Sequence, residues 1–133
     1  METLKTGLKG RSDFCVKETD SAKAFRSGSL EVLATPVLIA SAEETCADFV
    51  QPFLEPGKGT VGTMVNMRHL APTPIGMKYY CECELTSIDG RVLTFHVILF
   101  DEVEKIGEGT HERVIISEER FFNKCQSKLS AKE

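Results

Sequence analysis

Hydrophobic positions follow two rhythms along the chain, and each predicts a different element. From Thr35 onward the run Thr35-Pro36-Val37-Leu38-Ile39-Ala40-Ser41-Ala42-Glu43-Glu44-Thr45-Cys46 is apolar nearly all round between Val37 and Ala42, which predicts a helix buried on most sides. Thr35 reads as its N-cap and Pro36 as its first helical residue, because a threonine hydroxyl accepts from an orphan N–H and proline has none to waste. The helix is expected to end near Val50 or Phe53, before the loop Pro56-Gly57-Lys58-Gly59. The other rhythm has period two. Phe14 and Val16 mark a first strand over residues 11–17. Val61, Thr63, Val65, Met67 and His69 share one face of a second, which Pro72-Thr73-Pro74-Ile75-Gly76 ends. Tyr79, Cys81, Cys83 and Leu85 alternate with Tyr80, Glu82, Glu84 and Thr86 in a third. Asp89-Gly90 predicts a two-residue hairpin turn, since that geometry needs positive φ. Residues 91–100 form the return strand and residues 107–116 the last one. Ser117 is placed to cap a closing helix from Glu118 to about Leu129, with Glu118 and Glu119 at its positive end. Residues 21–33 read as a loop with a short helical turn; residues 1–10 and 130–133 read as loose.

An apolar helix followed by four strands joined mostly by tight turns needs a sheet curled around it. The expected fold is therefore α+β of the hot-dog kind, an antiparallel sheet wrapped around a long central helix, in a single domain over residues 1–133.

Composition narrows the function classes. A chain of 133 residues, 41% hydrophobic and 27% charged, suits one soluble core. No apolar run reaches the length of a membrane span, and Met1-Glu2-Thr3-Leu4-Lys5 lacks the apolar segment of a secretory signal, so no membrane partner is expected. A net charge of −4 argues against nucleic acid as a partner. The 5 cysteines offer no tetrahedral ligand set. Cys81 and Cys83 fall on one strand face and read as small core side chains, so the expectation is free thiols, no metal and a cytoplasmic location.

Few residues look chemical. Glu43 and Glu44 lie in a helix expected to be buried, where an unpaired carboxylate is costly; spacing alone does not choose between them. His69 lies on the apolar face of its strand near the end, where a satisfied interior histidine and a catalytic base are both consistent with its position. Thr35 stands at a helix start whose backbone N–H groups favour a developing oxyanion. Gly62 either relieves crowding or lets a ligand approach the backbone. His96 reads as structural, and His111 as a residue behind a site or, more simply, paired at the surface. Arg68, Lys78, Arg91, Lys105 and Arg113 offer positive charge for phosphates, although each alone fits a solvated face. The phosphate-binding glycine loops and the Gly-x-Ser-x-Gly nucleophile elbow do not occur.

Several stretches together resemble the hot-dog thioesterases of the fluoroacetyl-CoA thioesterase type. They are Ala34-Thr35 with Glu43 eight residues on, Gly57-Lys58-Gly59-Thr60-Val61-Gly62-Thr63, His69-Leu70-Ala71-Pro72-Thr73-Pro74-Ile75-Gly76-Met77, Asp89-Gly90-Arg91, and Ile106-Gly107-Glu108-Gly109-Thr110-His111-Glu112-Arg113. The resemblance spans residues 30–122. It implies hydrolysis of an acyl-CoA thioester by a homodimer or higher homo-oligomer, with no cofactor beyond the coenzyme A of the substrate. It implies a catalytic set of Thr35, Glu43 and His69 at a dimer interface, with Gly62 and Arg113 binding substrate. It favours Glu43 over Glu44. A non-catalytic acyl-CoA binding module and a hydratase or dehydratase remain the alternatives on the same fold.

Overall fold

The computed structural model describes residues 3–131. Strands β1 (Lys9–Cys15), β2 (Lys58–His69), β3 (Lys78–Asp89), β4 (Val92–Asp101) and β5 (Lys105–Ser117) form one antiparallel sheet in the order β1-β3-β4-β5-β2. Helix α1 (Thr35–Val50) touches all five strands. This is the expected hot-dog arrangement. Period-two alternation gives the sheet its inner face: Tyr79, Cys81, Cys83 and Leu85 of β3 and Leu93, Phe95, Val97 and Leu99 of β4 are buried against Leu38, Ala42, Cys46 and Val50 of α1. The opposite side of α1 is less buried than an all-round apolar run suggests. Pro36 and Ala40 are exposed, and Val37, Ile39 and Glu43 are half-buried.

The first turn of α1 differs from expectation by one residue. Thr35 is already helical and Ala34 is the cap, in extended conformation and without a side-chain bond. The Ala34 carbonyl accepts from Val37 and Leu38 N–H at 3.1 and 3.0 Å. Pro36 is thus the second helical residue, and the Thr35 hydroxyl is free for another partner. The segment before α1 is tied down by Leu33 N–H to the Thr73 carbonyl (2.9 Å), Ala34 N–H to Asp20 (2.9 Å) and a bridge from Val32 to Pro74. These bonds set the start of α1 beside the end of β2.

β2 breaks strict alternation. Gly62 pairs with Arg113 but Met64 pairs with Glu112, so Thr63 is an extra, bulged residue. Gly62 faces α1, and beyond the bulge Val65, Met67 and His69 take the inner face opposite His111, Gly109 and Gly107. Val61 and Thr63 therefore leave the predicted face. Two glycines of β5 allow close approach: a Cβ at Gly107 would stand 3.1 Å from a Leu38 methyl of α1, and one at Gly109 would collide with the Asn66 carbonyl of the neighbouring strand β2.

Other boundaries shift slightly. Gly7 and Leu8 pair with Leu85 and β1 starts at Lys9, so residues 7–10, expected to be loose, are held to the sheet; residues 1–2 and 132–133 lie outside the described residues. The β3–β4 turn is Gly90-Arg91 rather than Asp89-Gly90, because Asp89 still pairs with Val92 and Gly90 carries the positive φ of 61°. The closing helix, α2 (Glu118–Gln126), stops early and a short α3 (Lys128–Ala131) follows; Ser117 precedes α2 without a side-chain cap bond.

Candidate active site

The freed Thr35 hydroxyl lies 2.7 Å from His69 Nδ1. The other ring nitrogen, His69 Nε2, is buried and has no hydrogen-bond partner. Burial pushes the His69 pKa below the ordinary 6.5, against a smaller upward pull from the Ala71 backbone, so the imidazole is neutral at pH 7. Thr35 and His69 border a cavity of about 320 Å³ whose other walls are Ala22, Ser27, Val32, Leu33, Leu70, Ala71 and Pro72. Mostly apolar walls around the Thr35 and Ser27 hydroxyls and one imidazole suit a short acyl group. The helix start offers fewer oxyanion donors than expected, since Pro36 has no N–H and those of Val37 and Leu38 are taken by Ala34.

A second constellation lies two turns further along α1. The Glu43 carboxylate packs on the Cα of Gly62: a Cβ there would lie 2.9 Å from Glu43 Oε2, 3.2 Å from His111 Cε1 and 3.4 Å from Arg113 Nη1. Glycine at 62 therefore makes room for the chain's own carboxylate. Arg113, 7% exposed, donates from Nε to Thr60 Oγ1 (2.7 Å) and from Nη2 to the Thr60 carbonyl (2.9 Å). Its Nη1 lies 3.1 Å from His111 Nε2, and His111 Nδ1 lies 2.8 Å from the Met64 carbonyl. Arg113 is thus held inside the fold, not offered as a surface clamp for phosphates. His111 is fully buried, which overturns its reading as a surface pair. Burial is also the main cause lowering its pKa, with Arg113 adding to the effect.

The structure brings Thr35 to His69, and Glu43 to Gly62 and Arg113, but it does not bring the two groups together within one chain. Eight residues of helix separate Thr35 from Glu43 by about 12 Å, and seven residues of strand separate Gly62 from His69 by roughly 23 Å. No hydrogen bond or ion pair joins Glu43 to His69 or to Arg113. Glu44 is exposed. His96 pairs with Glu108 at 2.8 Å, and so does Lys105. Cys46, Cys81 and Cys83 are buried thiols, Cys81 with its pKa pushed up to about 12 by burial. Among the described residues no cluster of three His, Cys, Asp or Glu could hold a metal. Sequence reasoning passed over Thr60, and for His111 it preferred a surface pairing to a place behind the site. Their alternation with Gly109 and Arg113, and with Gly62, was the available signal.

A five-stranded antiparallel sheet wrapped on one long helix is the hot-dog fold, the fold of a class that includes acyl-CoA thioesterases. Residues 16–119 match the family described as fluoroacetyl-CoA-specific thioesterase (FlK), and the chain belongs to that family. A fluoroacetyl-CoA thioesterase from Streptantibioticus cattleyicolor is 41% identical over 101 residues, 76% of this chain and 73% of that one. A crystal structure of the fluoroacetyl-CoA thioesterase FlK superposes with a TM-score of 0.91 at 33% identity, covering 96% of this chain and 98% of that one. A thioesterase-superfamily protein of Thermus thermophilus shares the fold at a TM-score of 0.87 and 24% identity, covering 98% and 99%.

Proposed function

We propose that the protein, an acyl-CoA thioester hydrolase, acts on a short acyl group at a site built from two copies of the chain: Thr35 and His69 of one, and Glu43, Gly62 and Arg113 of the other. The observation that carries this reading is the separation of the two groups on one chain, with His69 Nε2 buried yet unpartnered. β2 is one of the two outer strands of the sheet, twelve residues long, and its Val65 is 39% exposed. Such an edge favours pairing with its own two-fold mate. Antiparallel pairing centred between Val65 and Asn66 would set Gly62 of each copy opposite His69 of the other. No helix of the described residues is long and apolar enough to cross a membrane; the free thiols favour a reducing cytoplasm.

In this site the thioester carbonyl lies between the two groups. Either the Glu43 carboxylate adds to the carbonyl carbon, or it directs a water that does. The carbon–sulfur bond then breaks, and coenzyme A leaves as a thiolate that takes up a proton; on the covalent route water then hydrolyses the acyl–Glu43 anhydride, which releases the acid and restores the carboxylate. His69 Nε2 serves both stages. With Nδ1–H donated to Thr35 it is a base; with the Thr35 hydroxyl donating to Nδ1, it presents an N–H to developing negative charge.

Thiol release from a panel of short, branched, aromatic and halogenated acyl-CoAs tests substrate and reaction together. Glu43→Gln and His69→Ala should each lower kcat at least about a hundredfold, while Glu44→Gln stays near wild type. Folded single variants with near wild-type turnover would refute the site. A monomer by light scattering at micromolar concentration would refute its sharing between copies.

A further inference from the structure

We propose that His111 is a positioning residue: it acts as a fixed neutral acceptor that aims the Arg113 guanidinium at the Glu43 side of the site. This rests on the reading of Glu43 as part of the catalytic set. Both nitrogens of His111 are committed. Nδ1 faces the Met64 carbonyl at 2.8 Å, an acceptor only, so Nδ1 carries the proton. Nε2 then holds a lone pair, and Arg113 Nη1 at 3.1 Å donates to it. Thr60 takes Nε at 2.7 Å and Nη2 at 2.9 Å.

The guanidinium is therefore pinned at three nitrogens between β2 and β5. It keeps its charge, and it has further N–H groups to give. Nη1 and Glu43 Oε2 both flank the Cα of Gly62 without closing an ion pair. Arg113 is thus placed to orient the carboxylate, or to meet negative charge arriving beside it, without neutralising it in a closed contact. A protonated imidazole would lose the acceptor and set a second cation against Arg113; burial of His111 opposes that state.

The test uses the different reach of two amides. Asparagine places its amide near the position of Nδ1 and can keep the bond to Met64. Glutamine reaches the position of Nε2 and can offer Arg113 an oxygen. If His111 positions Arg113, His111→Asn should lower kcat about ten- to a hundredfold with KM within about threefold, and His111→Gln should recover most of that loss. A role confined to tying β2 to β5 predicts the reverse order, with asparagine better than glutamine. Thr60→Val, which removes the Nε acceptor and leaves His111 in place, should also lower kcat, and it carries the test if His111→Asn does not fold. The proposal is overturned if Thr60→Val and every folded His111 variant keep wild-type kcat, or if asparagine outperforms glutamine. Glu43→Gln is measured alongside. If it is fully active, the reading of Glu43 itself is wrong; if it is inactive while His111→Asn and Thr60→Val are not, the positioning role alone fails.

Discussion

Replacing Gly62 by alanine should separate activity from stability. The new methyl would sit 2.9 Å from Glu43 Oε2, 3.2 Å from His111 Cε1 and 3.4 Å from Arg113 Nη1. The first contact is the tightest, and it falls on the far end of a flexible side chain, so the carboxylate yields while the backbone stays. Gly62 is not among the residues with positive φ, so alanine meets no backbone strain. Loss of unfolded-state entropy on Gly→Ala is worth about 0.4–1 kcal/mol in favour of folding, against the cost of moving one carboxylate. The net change should stay within about 1 kcal/mol, which is a melting shift of about 4 °C or less in either direction. A catalytic group displaced by a fraction of an ångström is far more costly: misplacement by about 1 Å loses about a hundredfold. We expect kcat to fall about ten- to a hundredfold. Steady-state thiol release over a range of acyl-CoA concentrations, with a thermal melt of the same preparation, decides the matter. An unshifted melt with kcat within twofold of wild type would refute the claim that Glu43 must rest on a bare Cα. A parallel collapse of both would mean that the glycine serves the fold instead.

Thr35→Val should lower kcat at least about tenfold yet cost less than about 1 kcal/mol in denaturant unfolding, because Thr35 caps nothing; a true N-cap would cost about 0.5–2 kcal/mol. The folded-state pKa values of His69 and His111 are pushed below 6.5 by burial, with Arg113 and Glu43 the charged groups acting on His111. The stability they contribute is therefore whole above pH 6.5 and lost as pH falls through the folded values, which urea melts from pH 7.5 to 5 should trace. Catalysis that needs neutral His69 should show an acid limb centred below about 6.5, absent from the residual activity of His69→Ala; a limb centred above 7 would contradict the burial. Gly109→Ala should destabilise by about 2 kcal/mol or more, since its Cβ meets the Asn66 backbone and not a movable tip.

Period-two patterning in β3 and β4 was legible because one face is core and the other is not, so Tyr79 to Leu85 and Leu93 to Leu99 declare their side. β2 was misread at Val61 and Thr63 because a bulge leaves no compositional mark: the extra residue is specified by pairing with β5, a long-range property. Thr35 misled for a local reason. Its type suits a cap, but the Leu33–Thr73 and Ala34–Asp20 bonds start the helix one residue earlier. His111 was assigned to the surface because its neighbours Thr110, Glu112 and Arg113 are polar, and Arg113 itself is held inside by Thr60 and His111. Thr35 and His69 were singled out one by one and grouped with Glu43 only by the family resemblance; neither their 2.7 Å contact nor their distance from Glu43 on the same chain could be read from the sequence.

That distance has a consequence in mixtures. With each site shared between two copies as proposed, Glu43→Gln and His69→Ala would each spoil both sites of their own dimer, yet a heterodimer of the two would keep one site whole, drawing carboxylate from one variant and imidazole from the other. Random exchange of subunits in equal amounts would make half of all dimers mixed, so two nearly dead preparations should recover roughly a quarter of wild-type turnover when combined. Two alleles carrying these lesions would complement each other in one cell, and dilution below the dimer's dissociation constant would silence every copy at once.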